Sequence, residues 1–192
     1  MGEAKQMKKT AILVVATALA VLVGCVPLPL KPTKIVTLQT AFNADEARAL
    51  LVEGNNTIKG SALMRQKDGD VVTCAGNNVV LTPGTAYAAE RISHLYGSVN
   101  KGVAFYNDDY ENLGIIRFTD TAPEYQGLTK RSVCDAQGFF EFKNLADGSF
   151  FVTTRVSWQA LVDGVNWATQ GGPMMHKVEV KGGETKTIVL SP

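Results

Sequence analysis

The chain has 192 residues, with 19 Lys and Arg against 18 Asp and Glu, and 45% of its residues are hydrophobic. This balance excludes a disordered tail, a collagen-like repeat and a basic nucleic-acid-binding module, so we expect no nucleic-acid partner. The length fits one domain of ordinary size better than two.

The N-terminus has the pattern of an export signal. Lys5, Lys8 and Lys9 precede an uncharged stretch over residues 11–24. A helix that crosses the hydrocarbon of a bilayer needs about 20 apolar residues, and this stretch is shorter. The pattern therefore predicts a signal peptide over residues 1–24 rather than a membrane span.

The signal ends in Leu22-Val23-Gly24-Cys25, which resembles the lipobox of bacterial lipoproteins. The resemblance implies that the Cys25 thiol carries a diacylglyceryl group, which anchors the protein to a membrane of the cell envelope. In this family, an Asp directly after the lipidated cysteine directs the protein to the inner membrane. Val26 occupies that position here, so the resemblance implies the outer membrane. It does not decide between the periplasmic face and the surface face of that membrane. The alternative is a buried core helix that ends in this pattern by chance.

A stem and a short helix follow the predicted anchor. Three prolines between residues 26 and 32 favour an extended, semi-rigid spacer. Asn43 and Glu46 match a capping box, which predicts a helix that ends at Gly54. We therefore expect residues 25–56 to comprise the lipidated cysteine, the stem and this helix.

From residue 57 onward the pattern is typical of β-structure. Residues 58–66 and 70–74 flank an Asp-Gly turn and predict a hairpin, and residues 79–81 predict a third strand. Thr82 and Pro83 suit the cap and the first position of a helix, which we expect over residues 83–96.

The second half of the chain alternates between apolar and polar residues. Phe150, Val152, Val156 and Trp158 lie at even spacing, which predicts one inward strand face. Residues 98–132 have little regularity, apart from a candidate strand at 115–118 and an acidic segment that predicts an exposed loop at 107–112. Short strands separated by turns predict a mainly β chain that folds as an antiparallel β-sandwich with one or two short helices.

One segment carries a family resemblance. Residues 134–152 contain Asp-x-x-Gly-x-Phe-x-Phe, Asn-Leu-x-x-Gly and an aromatic-x-Val strand. This segment resembles the carboxypeptidase regulatory-like domains, which have a transthyretin-like (prealbumin-like) sandwich. The resemblance extends over residues 57–192, implies that fold for them, and implies no shared catalytic group.

Two cysteines remain after Cys25. An exported compartment is oxidising, so we favour a disulfide between Cys74 and Cys134 over two separate buried thiols. A catalytic cysteine is not expected, because pairing removes the thiolate.

The sequence holds no metal-ligand or cofactor motif. His94 and His176 lie far apart, and neither belongs to a zinc motif. Asp108, Asp109 and Glu111 offer oxygen ligands for calcium, but they lack the spacing of an EF-hand, so we favour a solvated loop. We expect no metal, no cofactor and no catalytic residue.

Exposed aromatic side chains are the candidate binding residues. Trp167 lies in a predicted loop, and Tyr106 and Tyr110 lie in the irregular region, so the three could form a stacking surface for a sugar or a protein. Trp158 fits the core, and Met174-Met175 fits either that surface or the edge of the sandwich.

These features predict a non-enzymatic lipoprotein of the bacterial envelope. We expect a scaffold or adaptor that holds an envelope protein partner by loops or by a sheet edge. The alternative is a carbohydrate- or small-ligand-binding module, and an enzyme ranks third.

Overall fold

The computed structural model describes residues 33–106, 115–119, 121–162 and 164–192, which carry eleven strands and two helices. The elements in chain order are β1 (Thr33–Val36), α1 (Ala44–Leu51), β2 (Asn56–Arg65), β3 (Val71–Thr73), β4 (Asn78–Pro83), α2 (Ala86–Tyr96), β5 (Lys101–Val103), β6 (Ile115–Phe118), β7 (Lys130–Val133), β8 (Phe139–Leu145), β9 (Gly148–Val162), β10 (Asn166–Val180) and β11 (Thr185–Leu190).

Two sheets form the body of the domain. The large sheet has the order β5-β10-β9-β4-β7, and all its strand pairs are antiparallel. In the small sheet, β11 pairs with β2 in parallel, while β8 and β3 pair with β2 in antiparallel fashion. The predicted mainly β sandwich is confirmed. The pair β2–β11 is parallel rather than antiparallel, which the alternation of apolar and polar residues does not reveal.

The core lies between the facing sides of the two sheets. Ile58 of the small sheet and Leu81, Phe150 and Val152 of the large sheet are fully buried in one cluster. Burying such a side chain contributes about 1.5–3 kcal/mol. Trp158 is half-buried and packs against the same cluster, so its predicted place at the core is confirmed.

The two predicted helices are present, but the start of α2 differs from the prediction. Asn43 caps α1 by accepting the amides of Asp45 and Glu46, as expected. Thr85 caps α2, whereas Thr82 lies buried in β4. The predicted cap at Thr82 is therefore wrong, because the residues at 82 and 83 continue β4 and pair with β9.

The segment before α1 is attached to the domain. β1 pairs in parallel with β6, and Glu90 of α2 accepts the amides of Gln39 and Thr40 at 2.7 and 2.8 Å. These bonds lower the pKa of Glu90, the amide of Gln39 being the largest cause. β1, α1 and the strands from β2 to β11 lie in one compact unit.

Arg91 of α2 sits among aromatic rings beside this attachment. Its guanidinium carbon lies 3.9 Å from the ring centroid of Phe118, 4.9 Å from that of Tyr125 and 5.7 Å from that of Tyr87. Cation–π contacts of this kind contribute about 0.5–2 kcal/mol each. They tie β6 and the segment before β7 to the helix.

A long hairpin occupies the part of the chain where a loop at Trp167 was predicted. β9 and β10 are 15 residues each and stay in register from Gly148 and Val180 to the turn. Gly172 of β10 serves close packing: a Cβ there would collide with the carbonyl oxygen of Ala104. Trp167 therefore lies on β10 rather than in a loop.

Candidate functional site

A groove of about 490 Å³ opens on the outer face of the large sheet. Its two aromatic lining residues are Tyr96, at the C-terminal end of α2, and Tyr106, beyond β5. The other lining residues are Gly76, Asn77, Asn78, Val80, Thr153, Thr154, Arg155 and Pro173.

The alternation of side chains along the strands determines which residues form the floor of the groove. Thr153 and Arg155 are two residues apart on β9, so their side chains leave the sheet on the same, outer side. Val80 of β4 pairs with Thr153, and Pro173 of β10 pairs with Arg155. The floor is therefore built from three adjacent strands, which hold it rigidly.

The predicted disulfide between Cys74 and Cys134 is present and supports the wall of the groove. The amide of Gly76 donates to the carbonyl oxygen of Cys134 at 3.0 Å, and the amide of Cys134 donates to the carbonyl oxygen of Asn77 at 3.0 Å. The hydroxyl of Thr154 donates to the carbonyl oxygen of Asn78 at 2.9 Å. The turn at 76–78 is thus fixed by the covalent link and by these bonds.

The groove has a positive electrostatic character. Arg155 is its one lining side chain with a formal charge, and its Nη2 donates to Oδ1 of Asn77 at 3.5 Å, a long bond. Within the described part of the chain, no carboxylate lies at ion-pair distance from Arg155. Arg131 of β7 pairs with Val80 and is exposed on the same face. An anionic group is therefore favoured here.

A second groove, of about 620 Å³, lies against the small sheet. Phe139 and Val189 flank Ser61 in one cross-strand row and are about half exposed. Asp135 also lines this groove, but its carboxylate already accepts the amides of Gln137 and Phe139. This surface is more apolar than the first groove and offers fewer polar groups that could orient a small ligand.

The structure separates the predicted binding residues. Tyr106 lines the first groove, whereas Trp167 is 70% exposed and pairs with Leu161 farther along the hairpin. Tyr110 lies outside the described residues. Met174 and Met175 are buried, so they fill the interior and add nothing to an exposed surface.

The remaining candidate positions form no site in the described part of the chain. His94 lies on α2, and His176 lies on β10. Among the described residues, no three His, Cys, Asp or Glu side chains lie together in a way that could hold a metal ion. Cys25 and the acidic residues Asp108, Asp109 and Glu111 lie outside the described residues.

Apart from Tyr106, the polar and aromatic lining residues were missed at the sequence level: Asn77, Asn78, Tyr96, Thr153, Thr154 and Arg155. The alternation on β9 predicts that Arg155 faces away from the core, and Gly76-Asn77-Asn78 has the composition of a turn. Neither signal indicates that these residues meet Tyr96, because the contact depends on the crossing of α2 over the large sheet.

The comparisons with known proteins identify the fold. No family model matches the chain, and no curated protein matches its sequence, so membership of the carboxypeptidase regulatory-like family stays a prediction. A solved structure from Pseudomonas aeruginosa, of a candidate carbohydrate-binding protein, is similar with a TM-score of 0.65. The match has 20% sequence identity and covers 80% of this chain and 99% of that one. None of the helices described here is long and apolar enough to span a bilayer.

Proposed function

We propose that this protein binds an acidic glycan in the groove on the large sheet. The observation that carries the proposal is the combination of Tyr96, Tyr106 and Arg155 in one open groove. The C–H face of a sugar ring stacks on aromatic side chains, and its hydroxyl groups bond with amides and hydroxyls. A uronate carboxylate accepts two parallel bonds from a guanidinium.

The similarity to a candidate carbohydrate-binding protein supports the same class of ligand. It agrees with the carbohydrate-binding alternative that the sequence left open. The side chains lining the groove also include no carboxylate and no histidine that could act as a general acid or base. The proposed role is therefore binding without catalysis.

The proposal includes the cellular setting predicted from the N-terminus. A lipid on Cys25 would hold the domain at the outer membrane, where envelope or extracellular polysaccharides are within reach. Only the lipobox resemblance and the export signal support this part of the proposal.

The test is isothermal titration of the detergent-solubilised full chain with trigalacturonate and with neutral maltotriose. We expect the acidic sugar to bind more tightly. Arg155→Gln should weaken binding by about tenfold or more, because a charge-assisted bond is lost. The matched control is Arg65→Gln, since Arg65 is an exposed arginine at the end of β2.

Tyr106 provides an independent test of stacking. Tyr106→Ala should weaken binding, whereas Tyr106→Phe retains the ring and should keep most of the affinity. Equal affinity of all variants, with unchanged melting temperatures, would contradict the groove as the site. An absence of binding for both sugars would contradict the proposed function.

A scaffold or adaptor role is the second candidate. The half-exposed row of Phe139 and Val189 favours it, because exposed apolar side chains on one sheet face are typical of protein contacts. Crosslinking mass spectrometry on native membranes tests this role. Reproducible crosslinks from this row to a single partner, which disappear in Phe139→Ser, would favour the adaptor role. Crosslinks spread over many proteins would exclude that role.

A further inference from the structure

The distal part of the long hairpin extends beyond the rest of the large sheet. We call residues 157–162 and 166–171 the arm. On the β9 edge, pairing with β4 ends at the pair Val80–Thr153. On the β10 edge, the bond nearest the hairpin tip runs from the amide of Tyr106 to the carbonyl oxygen of Gly171. Among the described residues, no strand pairs with the outer edges of the arm beyond these points.

One face of the arm continues the floor of the groove. Ser157, Gln159 and Leu161 follow Arg155 at two-residue intervals on β9, so all four side chains leave the sheet on the same side. Trp167 pairs with Leu161 and therefore shares this face. These positions therefore lie on one strand face between the groove and the indole ring.

A side-chain bond confirms this arrangement. Thr169 pairs with Gln159, and the amide nitrogen of Gln159 donates to the hydroxyl oxygen of Thr169 at 2.9 Å. Two side chains from paired strands can meet at this distance only on a common face. Since Trp167 lies two residues before Thr169, strand alternation places the indole on that face as well.

The chemistry of this face matches that of the groove. Trp167 is 70% exposed and Leu161 beside it is 49% exposed. Between this apolar pair and Arg155, the face carries the hydroxyl and amide groups of Ser157, Gln159 and Thr169. The segment from 156 to 170 contains one charged residue, Asp163. An exposed aromatic ring beside uncharged hydrogen-bonding groups suits the face of a sugar ring.

We propose that Trp167 forms a second sugar subsite and that the ligand is an extended polysaccharide chain. This inference rests on the proposed function of the groove. The six residue-to-residue steps from Arg155 to Leu161 span about 20 Å at roughly 3.3 Å per step. A disaccharide in the groove therefore cannot reach the indole, whereas a longer chain along the hairpin contacts both subsites.

The test is the dependence of affinity on chain length. Oligogalacturonates of two to eight sugars are titrated into the detergent-solubilised full chain. We expect the affinity to rise once the oligomer covers both subsites. Trp167→Ala should remove this gain, about tenfold, and leave the affinity for digalacturonate unchanged. Trp167→Tyr should restore much of the gain, and Val165→Ala, an exposed apolar change near the arm tip, is the control.

Tryptophan fluorescence of the unaltered protein gives a measurement that needs no variant. Long oligomers should shift the emission of the exposed indole to shorter wavelength, and digalacturonate should not. Equal affinity for all lengths, or an unchanged length dependence in Trp167→Ala, would overturn the second subsite while the proposed function stands. An absence of binding at every length would instead refute the proposed function, and this inference with it.

Discussion

Replacing Asn56 by Ala should destabilise the sandwich strongly, because this side chain joins two turns from within the fold. Asn56 is 1% exposed. Its Nδ2 donates to the carbonyl oxygen of Leu145 at 3.0 Å and to Oδ1 of Asp147 at 2.9 Å. Its Oδ1 accepts the amides of Gly183 and Glu184 at 2.9 and 3.0 Å.

The expected magnitude follows from these four bonds. A typical hydrogen bond contributes about 1 kcal/mol net, so Asn56→Ala should lower the free energy of unfolding by about 4 kcal/mol. Asn56→Asp keeps the two acceptor bonds, loses both donated bonds and places a carboxylate beside Asp147, so it should also destabilise. Asn55→Ala, at the exposed neighbouring position, should change stability by about 0.5 kcal/mol or less.

Urea unfolding followed by circular dichroism measures these differences. The same experiment at several pH values adds a second check, because the bond from Asn56 is the largest cause that lowers the pKa of Asp147. A carboxylate with a lowered pKa contributes stability above its unfolded pKa, and this stability is lost as the pH falls through the folded pKa. A loss below about 1 kcal/mol in Asn56→Ala would refute the assignment of this side chain as a structural link.

Three further predictions concern the disulfide, the N-terminal segment and the lipid. Replacing Cys74 and Cys134 by Ser should lower the free energy of unfolding by about 4 kcal/mol, because the disulfide closes a loop with a sequence separation of 60; urea unfolding measures this loss. The same replacement should weaken sugar binding, which calorimetry measures. Unchanged binding would contradict the role of the disulfide in supporting the groove wall. The pKa of Glu90 in the folded protein lies below its ordinary value of 4.5, so its carboxylate contributes stability above 4.5 and loses it as the pH falls through the lower, folded pKa. Over that fall in pH, the protection factors of the amides of Gln39 and Thr40 against hydrogen exchange, corrected for the intrinsic exchange rate at each pH, should decrease. Glu90→Gln should reduce this pH dependence. Cys25→Ser should release the protein from membranes in a fractionation experiment, and its recovery with the membranes would contradict the anchor.

Much of the fold follows from local sequence signals. The Asp-Gly turn fixes the hairpin of β2 and β3, and the side chain of Asn43 caps α1. The start of α2 was misjudged because Thr82 and Thr85 offer the same capping chemistry. Pairing of β4 with β9 decides between them, and that contact joins residues about 70 positions apart.

Local sequence patterns do not predict the long hairpin or the groove. Gly171 and Gly172 have the composition of a turn, yet Gly172 serves the close approach of Ala104, a contact that no local pattern reveals. The alternation on β9 predicts the outward direction of Arg155. It does not predict that Tyr96 and Tyr106 lie beside it, because those residues reach the groove from other elements.

Titration of trigalacturonate into the full chain and into Arg155→Gln tests the central claim most directly. The account predicts measurable binding to the unaltered protein, binding about tenfold weaker or worse in Arg155→Gln, and unchanged binding in Arg65→Gln. Equal affinities in all three proteins, with melting temperatures unchanged, would contradict the acidic-glycan groove.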